Sequence, residues 1–340
     1  MEDNRTGVIS DFRLITEYRA AIMGFSILWV VLFHSSIMIS LEPLSTFQEL
    51  GFGGVDIFLF LSGMGIFQSL QRNSISAFFK HRLDKIVPVW WSYLIIRLIV
   101  EKVHLGVTPS LKEVLGFASF TGYWAQLQHQ GNWYVYAIML FYALSPLLAT
   151  FVNLAGQKKN IGPLLISAAI LMSVSFYGQK QLMAASRIPV FLLGMLFSAR
   201  AEKQPDSDLV IWLRRICFLL GGTVLVILIK NRSIQDLQYT GFCWYPFLFV
   251  TPELTLILAH CFRFFSGKIK AVVSLFEFLG VASLEILLTS DSIMQWTGDW
   301  TDGKLISFSI AAISVVLGLV YHFVIERMKK QFRIIMGERG

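Results

Sequence analysis

Charged residues are scarce in this chain of 340 residues, where they make up 15%, against about 25% in an average soluble domain. The hydrophobic fraction is 55% and the mean hydropathy is +0.62. Such a composition leaves too little polar surface for a water-soluble fold, and it also excludes disordered, collagen-like and coiled-coil chains. The three cysteines lie within apolar runs without a CxxC pair. We therefore expect neither a disulfide framework nor a metal site.

The apolar residues form runs that are long enough to cross a bilayer. A span needs about 20 mostly apolar residues, and backbone groups in lipid must be satisfied within the protein, which favours helices. We predict an all-α fold, a polytopic membrane helical bundle with about ten transmembrane helices. The predicted spans are residues 20–39, 52–70, 86–103, 131–154, 161–178, 185–199, 209–229, 240–261, 271–292 and 305–325.

The distribution of basic residues predicts the orientation of these spans. If the N-terminus is inside, most of the 29 Lys and Arg residues fall in inner segments, so the positive-inside rule predicts an N-in/C-in topology. Residues 1–340 then form a single integral membrane domain, with a cytoplasmic N-terminal segment (1–19) and a cytoplasmic basic tail (326–340) that contacts membrane lipids. Because the net charge of +7 comes from short clusters between apolar runs, we expect no nucleic acid partner.

Several ionisable residues lie inside the predicted spans, where a charge costs about 2.5–3.5 kcal/mol on insertion scales. With a rise of about 1.5 Å per residue, His34, Asp56 and Glu285 fall at one height, in the outer third of the membrane. Arg187 and Trp133 lie just inside the outer ends of their spans. This coincidence of depth predicts one water-accessible pocket lined by these five side chains.

Structural roles are the alternative for each of these residues. His34 is also suited to a hydrogen bond between helices, Asp56 to a helix cap, and the glutamate and arginine of the layer to an ion pair with each other. Arg97 and Glu253 lie near mid-membrane on the third and eighth spans. For these two we expect a structural ion pair, because an unpaired charge is costly to bury.

Two stretches of the sequence carry recognisable motifs. The first, ILWVVLFH, covers Ile27–His34; the second, GVDIFLFLSG, covers Gly54–Gly63 and is followed by FFKHRLDKIVP at Phe78–Pro88. In order and spacing they resemble the acyltransferase 3 family of bacterial integral membrane acyltransferases. That family has a functional histidine at the end of its first span, a Gly-Val-Asp signature and a basic loop. Weaker likenesses begin at Trp133, Arg187 and Gly280.

The resemblance implies a ten-helix bundle in the bacterial cytoplasmic membrane. It implies acyl-CoA, usually acetyl-CoA, as the donor, and a hydroxyl of an envelope carbohydrate as the acceptor. Carried over residue by residue, it makes His34 the catalytic candidate. Arg82 and Lys85 fit the basic loop that would bind the phosphates of CoA, with Lys80 nearby and Arg19 at the cytoplasmic mouth.

Acyl transfer also needs groups that orient the base and stabilise the oxyanion. Asp56 lies at a suitable depth on the adjacent span to fix the tautomer of His34. We expect Arg187, Trp133 and Glu285 to stabilise the oxyanion or to bind the acceptor. Direct transfer is the expected route, with a transient acyl-histidine as the alternative.

Two positions depart from the family pattern and keep other functions open. Met23 occupies a position where many members have arginine, and Ser290 occupies one where members often have histidine. These departures suit a non-catalytic membrane sensor built on a degenerate acyltransferase scaffold. A transporter or flippase of a lipid-linked sugar is the other alternative, because it would also place charges at membrane depth. The sequence predicts no oligomeric state.

Overall fold

The computed structural model describes residues 10–35, 37, 39–104, 106–128, 132–158, 161–201, 207–231, 240–241, 243–297 and 304–335. Helices dominate these residues, and no strand occurs among them, which agrees with the predicted all-α class. Residues 1–9 and 336–340, the outer parts of the two predicted cytoplasmic segments, lie outside the described residues.

The helices begin and end at the following residues in chain order: α1 (Asp11–Glu17), α2 (Arg19–His34), α3 (Leu44–Glu49), α4 (Gly53–Arg72), α5 (Ile75–His104), α6 (Leu111–Ala118), α7 (Trp133–Gln157), α8 (Ile161–Val174), α9 (Leu182–Ala185), α10 (Ile188–Ala201), α11 (Asp208–Asn231), α12 (Pro246–Ser266), α13 (Lys270–Val281), α14 (Ser283–Trp296) and α15 (Lys304–Ile335). A short 3₁₀ helix, Leu50–Phe52, joins α3 to α4. Local sequence explains two of the helix starts: Ser10 caps α1, and Ser110 forms a capping box with Glu113 at α6.

Six helical segments among the described residues are long and apolar enough to cross a membrane, or up to eight if each of two interrupted pairs is one span. The pairs are α1 with α2, bent by 68°, and α13 with α14, interrupted at Ala282. The predicted third span is interrupted by Arg97, Glu101 and Lys102, and α8 has 14 residues. The chain is thus a multi-pass membrane protein, whereas the count of ten and the N-in/C-in topology stay predictions.

The chain divides into two compact units of interleaved segments. Unit 1 comprises Met1–Ser26, Gly53–Arg72 and Ser145–Gly280. In it α4 packs against α10 and α12, and α11 packs against α12. Gly63 of α4 and Gly194 of α10 lie at a close crossing, where a Cβ at either position would collide with a backbone carbonyl of the facing helix. Small residues at this crossing therefore allow the two backbones to touch.

A charged cluster in unit 1 joins α1, α11 and α12. The Arg214 guanidinium donates to Asp11 at 2.8 Å and also to Glu253. In unit 2, Arg97 instead donates to Glu101 at 2.6 Å, one helical turn further along α5. Arg97 and Glu253 were expected to pair with each other, and each has a partner within its own unit. Membrane depth read from sequence does not show which face of a helix carries a side chain.

Unit 2 comprises Ile27–Phe52, Asn73–Leu144 and Val281–Gly340. Its helices α14 and α15 are antiparallel neighbours, since Thr289 Oγ1 donates to Ser314 O at 3.2 Å while Gly318 lies against Ile286. An aromatic cluster joins α5 to α6, with Trp90 stacked on Phe117 at 4.3 Å between ring centroids. The single domain over residues 1–340 stays a prediction.

Candidate functional site

His34 is the last residue of α2, and its side chain is exposed. Carbonyl groups at the end of a helix lack partners within the helix, and here a buried side chain from α3 satisfies two near this end. Gln48 Nε2 donates to Leu32 O at 3.1 Å and to Ile37 O. Trp29 Nε1 also donates to the backbone of α3 at 2.7 Å. These contacts fix the C-terminal end of α2 against α3, and the imidazole extends from this fixed backbone.

A polar network in unit 2 lies near this imidazole. Asp291 on α14 interacts electrostatically with His34 and also with Tyr93 on α5. The Tyr93 hydroxyl is hydrogen-bonded to Ser292 Oγ at 2.6 Å and accepts a hydrogen bond from Arg97 Nη1 at 3.1 Å. One unit therefore combines an exposed base, a carboxylate, a phenol and a guanidinium.

Glu285 lies in the first turn of α14, where it is 4% exposed. Its Oε1 is 3.1 Å from Nδ1 of His322 on α15. His322 follows Lys304, the first residue of α15, by 18 residues, which is about 27 Å along the helix. If Lys304 is outside, as the predicted topology requires, Glu285 does not lie in the outer third. The predicted depth of Glu285 and the predicted topology are therefore not compatible with each other, because the break at Ala282 interrupts the helical rise from which the depth was predicted.

The basic residues predicted to bind phosphate lie on the first turns of α5. The Arg82 guanidinium lies over two aromatic rings, 5.7 Å from the centroid of Phe78 and 5.5 Å from that of Tyr142. Its Nε is buried and has no hydrogen-bond partner among the described residues. Lys80 and Lys85 are exposed. The rings hold one guanidinium in a fixed orientation, and the two lysines add positive charge beside it.

Asp56 and Arg187 are brought together in the core of unit 1, where they are 0% and 1% exposed. Arg187 Nε lies 3.7 Å from Asp56 Oδ2, and the guanidinium lies 3.9 Å from the centroid of the Trp244 ring. Arg187 Nη1 also donates to Met183 O at 2.5 Å. Arg187 therefore pairs with Asp56, and Glu285 pairs with a histidine in its own unit, whereas sequence alone suggested that Arg187 and Glu285 pair with each other. The action of Asp56 on His34 stays a prediction.

Two other predicted site residues, Arg19 and Trp133, are half-buried. Arg19 belongs to unit 1 and is half-buried, with its guanidinium against Gly65 of α4. Trp133 begins α7 in unit 2 and is half-buried, with its ring edge-on to Tyr134 at 6.4 Å. Their proposed roles at the cytoplasmic mouth and at the acceptor stay predictions.

Asp291 and His322 were not identified from sequence as candidates. A signal was present for both, because each is an ionisable residue inside a predicted span, 271–292 for Asp291 and 305–325 for His322. Such residues are expensive in a membrane and point to a function by default. The described residues contain no group of three or more His, Cys, Asp or Glu side chains placed to hold a metal ion.

Comparison with known proteins gives one family. The sequence model Acyl_transf_3, described as an acyltransferase domain, matches residues 22–326. No curated protein and no solved structure matches the chain. The matched region includes both motif stretches, Ile27–His34 and Gly54–Gly63, and segments of both units. Because the match covers well over half of the chain, this multi-pass membrane protein belongs to the acyltransferase 3 family.

Proposed function

We propose that this protein transfers an acyl group, acetyl in the first instance, from cytoplasmic acyl-CoA to a hydroxyl group of an envelope carbohydrate, within the bacterial cytoplasmic membrane. The observation that carries the proposal is the exposed His34 imidazole at a helix end supported by Gln48. A histidine in a membrane protein of this family, open to substrate and accompanied by a carboxylate, is suited to acid–base chemistry.

His34 acts as the general base on the acceptor hydroxyl. It accepts the hydroxyl proton while the oxygen forms a bond to the acyl carbon, and the bond from that carbon to sulfur then breaks, so that CoA departs with the electron pair on its sulfur. Asp291 supplies the negative charge that favours an imidazolium at His34 during this step. The Tyr93 hydroxyl and the Arg97 guanidinium, which are linked at 3.1 Å, are the polar donors of the same unit that suit a developing oxyanion.

CoA binding is assigned to the start of α5. The buried Nε of Arg82, which has no hydrogen-bond partner among the described residues, fits a phosphate oxygen, since charge-assisted bonds of this kind are strong. Lys80 and Lys85 add charge on the same helix. Tyr93, which belongs to the network near His34, follows Arg82 by 11 residues, or about 16 Å along the helix. The pantetheine arm of CoA is of similar length.

The test uses purified protein in lipid nanodiscs with labelled acetyl-CoA and envelope carbohydrate, and it measures free thiol and labelled ester together. We expect His34→Ala to lower both by about 10²–10⁴-fold, the usual contribution of general acid–base catalysis. His260→Ala is the matched control, because His260 is an exposed histidine on α12 of unit 1. Full transfer by a well-folded His34→Ala protein would refute the assignment.

A transporter of a lipid-linked sugar is the second candidate, favoured by the two interrupted helix pairs. Transporters bind their substrates where membrane helices are broken. When the same purified protein is reconstituted into sealed vesicles, a transporter would move the sugar lipid across the bilayer without consuming acetyl-CoA. Free thiol released in proportion to ester would exclude this candidate.

A further inference from the structure

A second imidazole in unit 2 is held by a buried carboxylate. His322 Nδ1 lies 3.1 Å from Glu285 Oε1, and the two side chains are 15% and 6% exposed. A carboxylate on Nδ1 fixes the tautomer and the orientation of the ring and leaves Nε2 for other chemistry. Hydrogen-bonded carboxylate–imidazole pairs of this geometry are a common way of preparing a histidine for proton transfer.

The position of His322 is rigid because the neighbouring residues tie α15 to α5. The Tyr321 hydroxyl donates to Val89 O at 2.6 Å and lies 2.7 Å from Ser92 Oγ. On the other side, Gly318 allows α15 to approach the backbone of α14 at Ile286. The ring of His322 is therefore placed by packing on both of its neighbouring helices.

The order of groups along α5 relates His322 to the proposed donor. Val89, which Tyr321 contacts, follows Arg82 by 7 residues, or about 10 Å along the helix. Tyr93, in the network near His34, is about 6 Å further along. A donor with its phosphates at Arg82 and its acyl carbon at His34 therefore passes the level of His322 first. In a thioester the sulfur lies on the CoA side of the acyl carbon, which is also the side of His322.

We propose that His322, oriented by Glu285, is the general acid that protonates the departing thiol, an inference that rests on the proposed acyl transfer. As the bond from the acyl carbon to sulfur breaks, its electron pair stays on sulfur and takes the Nε2 proton of the His322 imidazolium. The acceptor proton has meanwhile moved to His34. Both histidines return to their starting states by proton exchange with water, so the products are ester and neutral thiol.

The surroundings explain why the thiol needs an acid here. A thiolate released in a site within the membrane lacks water to solvate its charge, and an unsolvated anion is costly. Protonation as the bond breaks avoids that charge. Glu285 is a positioning residue in this scheme, because it acts on the ring of His322 and as its counter-charge, without contact to the donor.

The test compares two acetyl donors that differ in the acidity of the leaving thiol: acetyl-CoA and the acetyl thioester of 5-thio-2-nitrobenzoate. An acidic aromatic thiol leaves as a stable anion and needs no proton. We expect His322→Gln to lower transfer from acetyl-CoA by about 10²-fold or more, and transfer from the aromatic thioester by less than about threefold. Glu285→Gln should show the same selectivity with a smaller loss, and His260→Gln should change neither rate.

Each outcome decides between the alternatives. Equal losses with both donors, or no loss with acetyl-CoA, would overturn the role of His322 while leaving acyl transfer by His34 intact. A wild-type protein that transfers acetyl from neither donor would overturn the proposed function, and this inference with it. Should His322→Gln fail to fold, Glu285→Gln alone carries the comparison, because a merely structural defect lowers transfer from both donors alike.

Discussion

The buried pair of Asp56 and Arg187 makes a prediction that separates a structural role from a catalytic one. Both side chains are removed from solvent, and the nearest charged atoms are 3.7 Å apart. At an effective dielectric constant of about 20, two unit charges at that distance attract each other by about 4 kcal/mol. Arg187→Met keeps the side-chain volume and leaves the Asp56 carboxylate buried without its counter-charge, a loss that typically costs about 3–5 kcal/mol.

The double variant Asp56→Leu/Arg187→Met should recover most of this loss. An apolar pair of similar volume carries no charge to desolvate, and such replacements are often neutral or stabilising. The lost contact of the guanidinium with Trp244, at 3.9 Å, removes about 2 kcal/mol. We therefore expect the free energy of unfolding of the double variant to lie within about 2 kcal/mol of that of the wild type, and well above that of Arg187→Met.

Equilibrium unfolding of the wild type, Asp56→Leu, Arg187→Met and the double variant in one detergent, followed by tryptophan fluorescence, measures this cycle. A double variant that loses as much as the two single variants together would refute the ion-pair reasoning, since independent sites add. Acetyl transfer by the same proteins gives the second readout. If Asp56 orients His34, the double variant is stable and inactive; if the pair is structural, it is stable and active.

Two further predictions concern the helix crossing and the donor site. Gly63→Ala should destabilise the protein by about 1–3 kcal/mol through overpacking, because the added Cβ would meet Phe191 O. Gly222→Ala, with open space around it, should instead stabilise the protein by about 0.5–1 kcal/mol. Unfolding midpoints in detergent compare the two variants, and equal effects would contradict the close crossing. Arg82→Gln should raise KM for acyl-CoA by about 10–100-fold, the value of one charge-assisted hydrogen bond, with a smaller change in kcat and with Arg72→Gln as the control; an unchanged KM would remove Arg82 from the donor site.

Much of the fold could be predicted from composition and run length. Helices overlap each of the ten predicted spans, because long apolar segments in a membrane have helices as their available structure. Run length did not show the breaks at Tyr18 and Ala282. Tyr18 lies between Glu17 and Arg19, before the predicted span begins, whereas Ala282 lies inside a predicted span and neither break has a proline beside it.

The sequence predicted individual residues of the candidate site better than it predicted which of these residues lie next to each other. His34 stood out by its motif and its place at the end of an apolar run, and it is exposed at a fixed helix end. Its carboxylate within the same unit, Asp291, and the partner of Glu285, His322, come from distant parts of the chain. A rise per residue estimates height along one straight helix, and it carries no information about which helices are neighbours.

The sequence by itself determined that this protein resides in a membrane, that it is helical and to which family it belongs. Hydropathy and short motifs are local properties that each segment carries alone. Only the tertiary structure decided which charges meet. It paired Asp56 with Arg187 and Glu285 with His322, and it joined Arg214 to two carboxylates. The energy of a buried charge depends on its neighbours within a few ångströms, and the packing of helices, rather than distance along the chain, brings those neighbours together.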